Sequence, residues 1–109
     1  MKIEPNMYVR TKDGKIAKFI KYDEEDKEEL ITDYYEYSTI WIKDVIEASH
    51  NIIDLIEVGD YVNGCKVIKN TLKDGGNIVI VQGGNCFTND DIKTVVTKEQ
   101  FEGMQYVIK

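Results

Sequence analysis

The chain is poor in the residues that build metal sites and catalytic sites. Its 109 residues include one histidine, two cysteines and one proline. A single histidine cannot form a multi-histidine metal site, and Cys65 and Cys86 lack the close Cys-x-x-Cys spacing of zinc ligands. Gly-x-Ser-x-Gly, His-Glu-x-x-His and P-loop patterns are also missing. The sequence therefore predicts a protein that is not an enzyme and that uses no metal and no cofactor.

Long apolar runs are missing too. No segment approaches the roughly 18 apolar residues of a membrane helix, and Arg10, Lys12 and Asp13 interrupt the N-terminus before a signal core can form. Two cysteines do not make a disulfide framework, so we expect two reduced, partly buried thiols. These absences predict a protein of the cytoplasm, with no membrane partner.

The charge is acidic and unevenly distributed. The net charge is −6, with 14 basic and 20 acidic residues. Residues 1–22 carry six bases and two acids, residues 23–47 carry two bases and ten acids, and residues 48–109 carry six bases and eight acids. Phosphate binding needs clustered lysine and arginine, and Arg10 is the only arginine. Direct nucleic-acid binding is therefore disfavoured, whereas a partner with a basic surface is favoured.

Short runs of β-favouring residues alternate with turn signals along the chain. Asp13-Gly14 and Asn63-Gly64 are typical of hairpin turns, because glycine accepts the positive φ that such turns require. Thr97 with Gln100 resembles a capping box, which would start one or two helical turns ending at Gly103. We predict a mainly β fold with minor α content, a short C-terminal helical turn and a last strand over 104–108. Ile78–Val81 is predicted to be a strand that is central or buried on both sides.

The chain consists of two similar halves. Tyr8-Val9 recurs as Tyr61-Val62 after 53 residues, and Asp44-Val45-Ile46 recurs as Asp91-Ile92-Lys93 after 47 residues. Repeats of this size indicate one structural unit used twice. About five short strands in each half suit a small SH3-like β-barrel. The predicted organisation is two tandem SH3-like units: residues 1–50, a connector over 51–57, and residues 58–109.

The acidic tract is the most unusual feature of the sequence. Eight of the fourteen residues from Asp23 to Glu36 are acidic, and an aromatic cluster begins within this tract at Tyr34 and extends to Trp41. Carboxylates along extended strands can imitate a row of phosphates, and aromatic rings add contact area at low entropic cost. The alternative is a solvated loop that binds nothing, with at least half of the rings packed in the core. The candidate partner-binding residues are Glu24, Glu25, Glu28, Glu29, Asp33, Tyr34, Glu36 and Trp41.

Three segments carry a resemblance to known proteins: Met7–Thr11, Ala48–Gly64 and Asp91–Phe101. They resemble small phage- and prophage-encoded proteins of low-GC Gram-positive bacteria, and the similarity covers most of the chain. The resemblance implies no activity and no catalytic residues. It implies a context, because small acidic proteins of mobile elements often block host defence, as anti-CRISPR proteins do.

The leading hypothesis is a non-enzymatic inhibitor of a host defence protein, such as a Cas effector, that acts through the acidic-aromatic surface. A second hypothesis is a tandem SH3-like adaptor that binds RNA, the ribosome or a polymerase through Arg10, Lys12, Lys15 and Lys18. A third is a sponge for a signalling nucleotide, with a pocket between the halves. An enzyme that uses Cys65 or Cys86 comes last. The partner and the oligomeric state stay open.

Overall fold

The structure is a computed structural model that describes residues 2–25, 28–34, 39–73, 76–104 and 108. The chain divides into two compact units, Met1–Leu55 and Ile56–Lys109. We call them unit 1 and unit 2. Each contains a five-stranded antiparallel sheet, so the predicted mainly β fold is confirmed.

Unit 1 has the strand order β4-β3-β2-β1-β5. A 3-10 helix over Ile42–Asp44 joins β4 to β5, and a second over Ile52–Leu55 follows β5 and contacts β1 and β5. The core includes Val9, Phe19 and Leu30. Strands β2 and β3 bury alternate residues, whereas β1 buries Arg10 and Thr11 next to Val9. The strands are β1 (Tyr8–Thr11), β2 (Ile16–Tyr22), β3 (Glu29–Thr32), β4 (Thr39–Trp41) and β5 (Val45–Ser49).

Unit 2 repeats this plan with the order β10-β6-β7-β8-β9. A 3-10 helix over Asn89–Asp91 joins its fourth and fifth strands, and the helix α1 (Lys98–Met104) follows the fifth. The strands are β6 (Tyr61–Val62), β7 (Cys65–Lys73), β8 (Gly76–Val81), β9 (Cys86–Phe87) and β10 (Val95–Val96).

The likeness of the two units extends to their backbone hydrogen bonds. The pairing register shifts after Phe19 in β2 and after Val67 in β7. The Phe19 amide donates to the Met7 carbonyl at 2.8 Å, and the Val67 amide donates to the Asp60 carbonyl at 2.8 Å. Met7 and Asp60 are 53 positions apart, and Phe19 and Val67 are 48 positions apart. Because the bonds recur close to the offsets of the sequence repeat, structural positions can be compared between the units.

The predicted barrels are wrong. Within the described residues each sheet is open, with β4 and β5 at the edges in unit 1 and β9 and β10 at the edges in unit 2. Closing a sheet requires its edge strands to pair at a consistent tilt. β9 and β10 have two residues each and β4 has three, so these edges offer few ladder hydrogen bonds for closure.

Local sequence signals predicted the turns and the helix start correctly. Asn63 and Gly64 have φ of 51° and 82°, and they connect paired strands β6 and β7. The Thr97 amide donates to Gln100 Oε1 at 3.0 Å, and the Gln100 amide donates to Thr97 Oγ1 at 3.2 Å, which confirms the capping box.

Other local predictions were wrong. The helix α1 passes through Gly103 and includes Met104, which the sequence placed in a strand, and residues 105–107 lie outside the described part of the chain. β8 lies between β7 and β9, which confirms the predicted central position, but only Val79 and Val81 of β8 are buried, so the strand buries alternate residues instead of both faces. Cys65 is half-buried, but Cys86 is exposed.

Candidate functional site

The structure places the predicted partner-binding residues around the β2–β3 connection and strand β4. Glu24, Glu25 and Glu28 are exposed in the connection, Glu29 begins β3, and Trp41 ends β4. Asp33 and Tyr34 follow β3. Glu36 lies outside the described residues. Four carboxylates and the single tryptophan therefore belong to one end of unit 1.

Trp41 lies on the outer face of this edge of the sheet. Its neighbour Ile40 is buried, whereas Trp41 is 42% exposed. Glu29 lies directly opposite Trp41 in the β3–β4 register, so the two side chains leave the sheet on the same face. The alternation of the pleat therefore directs Ile40 into the core and the indole outward.

Trp41 also lines a shallow cavity of about 360 Å³ with Glu28, Ile42 and Lys43. The Lys43 Nζ lies 5.4 Å from the centroid of a Trp41 ring, within the range of a cation–π contact. The Ile42 amide donates to the Glu28 carbonyl at 2.8 Å, which fixes the acidic connection against the start of the 3-10 helix. An indole, a lysine and two carboxylates thus share one small surface.

Asp33 and Tyr34 have structural contacts instead. Asp33 Oδ1 accepts a hydrogen bond from the Lys18 amide at 2.7 Å, and the Asp33 amide donates to the Lys18 carbonyl at 3.1 Å. Tyr34 packs against the unit 1 core. The structure therefore separates these two residues, which secure the sheet, from the exposed group around Trp41.

The comparison of the units reveals a feature of Trp41 that the sequence prediction missed. Trp41 is the N-cap of the Ile42–Asp44 helix and makes no side-chain capping bond. The equivalent residue of unit 2 is Thr88, whose amide and hydroxyl both donate to Asp91 Oδ2 at 2.9 Å. Threonine is among the preferred N-cap residues, whereas tryptophan is not. The 47-residue offset could have revealed this replacement, because it aligns Trp41-Ile42-Lys43-Asp44 with Thr88-Asn89-Asp90-Asp91.

The basic residues of the adaptor hypothesis are engaged within unit 1. Arg10 is fully buried, and its Nη1 donates to the Leu55 carbonyl at 2.8 Å. The assignment of Arg10 to nucleic-acid contact is therefore wrong, because a buried guanidinium cannot reach a phosphate.

The lysines of that hypothesis are exposed to different degrees and have neighbours of their own. Lys12 pairs with Asp44 at 3.1 Å, and Lys15 pairs with Asp13 at 3.6 Å. Lys18 Nζ lies 5.8 Å from the centroid of the Tyr8 ring. The hydrogen bond from the Thr11 hydroxyl, and then the charge of Lys15, hold the pKa of Asp13 below its usual value. Lys12 and Lys15 thus each have an acidic neighbour in unit 1, and Lys18 has an aromatic one.

Among the described residues, no group of three histidine, cysteine or acidic side chains is arranged to hold a metal ion. His50 Nε2 lies 3.3 Å from Glu4 Oε2 on the surface of unit 1. No helix in the described part of the chain is both long enough and apolar enough to cross a membrane.

Comparison with protein-family models, with curated proteins and with solved structures finds no match to this chain. The class that the structure defines is a protein of two similar five-stranded β units, one of which displays an indole beside carboxylates.

Proposed function

We propose that this protein is a non-enzymatic binding protein, and that unit 1 binds a basic surface of another protein. The contact residues are Glu24, Glu25, Glu28, Glu29 and Trp41, which we call the Trp41 surface. Their grouping at the β2–β3 connection and the β4 edge supports the proposal.

The observation that carries the proposal is the exposed indole at an N-cap position. A residue chosen for local stability would resemble Thr88, which forms capping bonds in unit 2. Trp41 forms none and exposes 42% of its surface. Tryptophan is enriched among the residues that dominate the energy of protein interfaces. The stability of the helix start therefore does not explain a tryptophan at this position, whereas binding to a partner does.

The charge around Trp41 indicates the chemistry of the partner. Glu24, Glu25 and Glu28 are exposed, and Glu29 lies opposite Trp41. Carboxylates on the rim of an interface accelerate the approach of a basic partner and repel an acidic one. An indole can also stack on an arginine or lysine of the partner. A nucleic-acid-binding groove on a protein offers both kinds of group.

The resemblance to phage and prophage proteins suggests where to look for that partner. We propose a host defence protein with a basic groove, such as a Cas effector, in the cytoplasm of a bacterial host cell. The protein would then act as a stoichiometric inhibitor, with carboxylates in the places that phosphates would occupy.

The test is a DNA-cleavage assay with Cas effectors of low-GC Gram-positive bacteria, together with co-purification of the complex. The variant Glu24→Lys/Glu25→Lys/Glu28→Lys/Glu29→Lys should abolish both inhibition and complex formation. Undiminished inhibition by this variant would disprove the acidic contact.

A matched pair of variants tests the location of the contact. Glu24→Lys/Glu28→Lys changes the net charge by as much as Asp90→Lys/Glu102→Lys, which alters exposed residues of unit 2. The first pair should weaken the complex, and the second should leave it intact. Equal loss in both would show a general charge effect instead of a local surface.

A further inference from the structure

Unit 2 carries a row of lysines on one face of its sheet. Val67, Val79 and Val81 are fully buried, so their side chains define the inner face. The register shift between Val67 and Lys69 adds one residue to β7. As a result, three exposed lysines leave the outer face of β7 together: Lys66, Lys69 and Lys73.

These three lysines are exposed. None of the three forms an ion pair or a cation–π contact with any residue in the described ranges. At about 3.3 Å per residue, the row extends over roughly 20 Å of strand. A net charge of −6 disfavours nucleic-acid binding over the whole surface, but this row is a local concentration of positive charge.

An aromatic pair lies at one end of the row. The rings of Tyr61 and Phe101 are stacked, with centroids 4.7 Å apart and planes inclined by 29°. Phe101 is 37% exposed. Tyr61 lies directly opposite Lys66 in the β6–β7 register, so the first lysine and the aromatic pair are neighbours.

A shallow cavity of about 330 Å³ lies between Lys66 and the aromatic pair. Its lining comprises Gly59, Tyr61, Lys66, Lys98, Phe101 and Glu102. The Lys98 Nζ lies 2.5 Å from Glu57 Oε1, and this hydrogen bond raises the pKa of Lys98 above its ordinary value. Since Lys98 is already paired, Lys66 supplies the available positive charge of the cavity, and Glu102 contributes one carboxylate to the lining.

Comparison with unit 1 shows which parts of the lysine row and the aromatic pair occur only in unit 2. Lys18 and Lys21 of β2 occupy the positions of Lys66 and Lys69. In unit 1 the row has only these two lysines, because β2 ends at Tyr22. Lys18 Nζ lies 5.8 Å from the centroid of the Tyr8 ring. In unit 2 the longer strand β7 adds Lys73, and Phe101 takes the place beside the tyrosine.

We propose that this outer face of unit 2 binds single-stranded nucleic acid. The backbone would follow the lysine row, and a base would contact the Tyr61–Phe101 pair. Charged grooves combined with exposed aromatic rings are the recurrent means of binding single strands without sequence preference. A duplex offers no exposed base face to such a pair except at its ends. The residues of this site belong to unit 2, whereas those of the Trp41 surface belong to unit 1.

The experiment is fluorescence anisotropy with the full chain and a labelled 20-nucleotide oligothymidine, from 20 mM to 300 mM salt. Three phosphate contacts predict a slope of about −2 for the logarithm of the association constant against the logarithm of salt concentration. Lys66→Gln/Lys69→Gln/Lys73→Gln should reduce the affinity at 20 mM salt by at least tenfold and flatten the slope. No binding of the wild-type chain at 20 mM salt would overturn the proposal.

A matched variant and a second probe complete the test. Lys12→Gln/Lys15→Gln/Lys18→Gln removes the same charge from unit 1 and should bind like the wild type. Phe101→Ala should weaken binding by about tenfold and leave the salt slope unchanged, as expected for loss of stacking. Equal loss in both lysine variants, or equal affinity for a 20-base-pair duplex, would contradict the proposed site.

Discussion

The two units have the same strand order but differ where the fourth strand meets its 3-10 helix. Unit 2 places Thr88 there, with two hydrogen bonds to Asp91. Unit 1 places Trp41 there, without a capping bond and with much of its surface exposed. One backbone plan thus supports two different residues, so the fold does not demand the tryptophan. Comparing the two units therefore identifies residues that their shared fold does not require.

The units also differ in their charge. The ten acids of residues 23–47 belong to unit 1, which displays carboxylates around Trp41. Unit 2 instead exposes Lys66, Lys69 and Lys73 on one face. Since the two surfaces carry opposite charge, we expect them to bind different partners.

Arg10→Met should have the largest effect on stability. Arg10 is fully buried, its guanidinium donates to the Leu55 carbonyl, and Glu47 lies opposite it in the β1–β5 register. Removing one member of a buried polar group leaves the others without compensation, at a cost of about 3 kcal/mol. Urea denaturation measures the loss in the free energy of unfolding.

The exposed Lys2 provides the control for that change. Lys2→Met removes the same charge and should alter the free energy of unfolding by less than about 0.5 kcal/mol. Unit 2 has Asn63 at the position of Arg10 by the 53-residue offset, so this buried cation is particular to unit 1. Similar effects of the two variants would show that Arg10 is not a structural element.

Asp60→Ala is the corresponding test in unit 2. The buried Asp60 carboxylate accepts from the Glu57 amide at 2.7 Å and from the Lys98 amide at 2.9 Å. Its loss should cost about 2 kcal/mol, because two amides lose a charged acceptor. Hydrogen exchange at the Lys98 amide should accelerate with it. Asp90→Ala, an exposed change, should leave that exchange rate unaltered, and slow exchange in Asp60→Ala would contradict this account.

Thr88→Ala should cost less, about 0.5 to 1 kcal/mol, because it removes one side-chain bond of the capping interaction. Thermal unfolding provides the measurement. Thr88→Ser, which keeps the hydroxyl, should retain most of the wild-type stability. If alanine and serine behave alike, the Thr88 hydroxyl does not stabilise the helix start and the contrast with Trp41 weakens.

The smallest effect concerns pH. The amide and then the hydroxyl of Thr88 lower the pKa of Asp91. A lowered pKa in the folded state means that Asp91 stabilises the fold above the unfolded value of about 3.9, and that this contribution disappears as pH falls through the folded pKa. Carbon-13 NMR of the Asp91 carboxyl should show titration below pH 3.9. Titration at or above that pH would contradict the bonds to Thr88.

The parts of the fold that depend on neighbouring residues were predictable from the sequence. Asp13-Gly14 and Asn63-Gly64 marked real hairpins, and Thr97 with Gln100 marked the start of α1. These signals work because the turn or cap involves residues within a few positions of one another. The runs of β-favouring residues between turn signals likewise predicted the mainly β class, and strands such as β2 and β3 bury alternate side chains.

Features that depend on distant contacts were not predictable. Arg10 suggested an exposed cation, because nothing nearby in the sequence shows that Leu55 accepts its hydrogen bond. The open sheets depend on how edge strands pair, which strand number alone does not reveal. At the candidate site, the acidic residues were found from composition, but the role of Tyr34 in the core required the structure.

Titration of Trp41→Thr against the partner that the wild-type chain captures tests most directly whether Trp41 belongs to the binding surface. The substitution gives unit 1 the N-cap residue of unit 2, so the free energy of unfolding should change by less than about 1 kcal/mol. We predict that the dissociation constant rises at least tenfold. An unchanged dissociation constant would contradict the assignment of Trp41 to the binding surface.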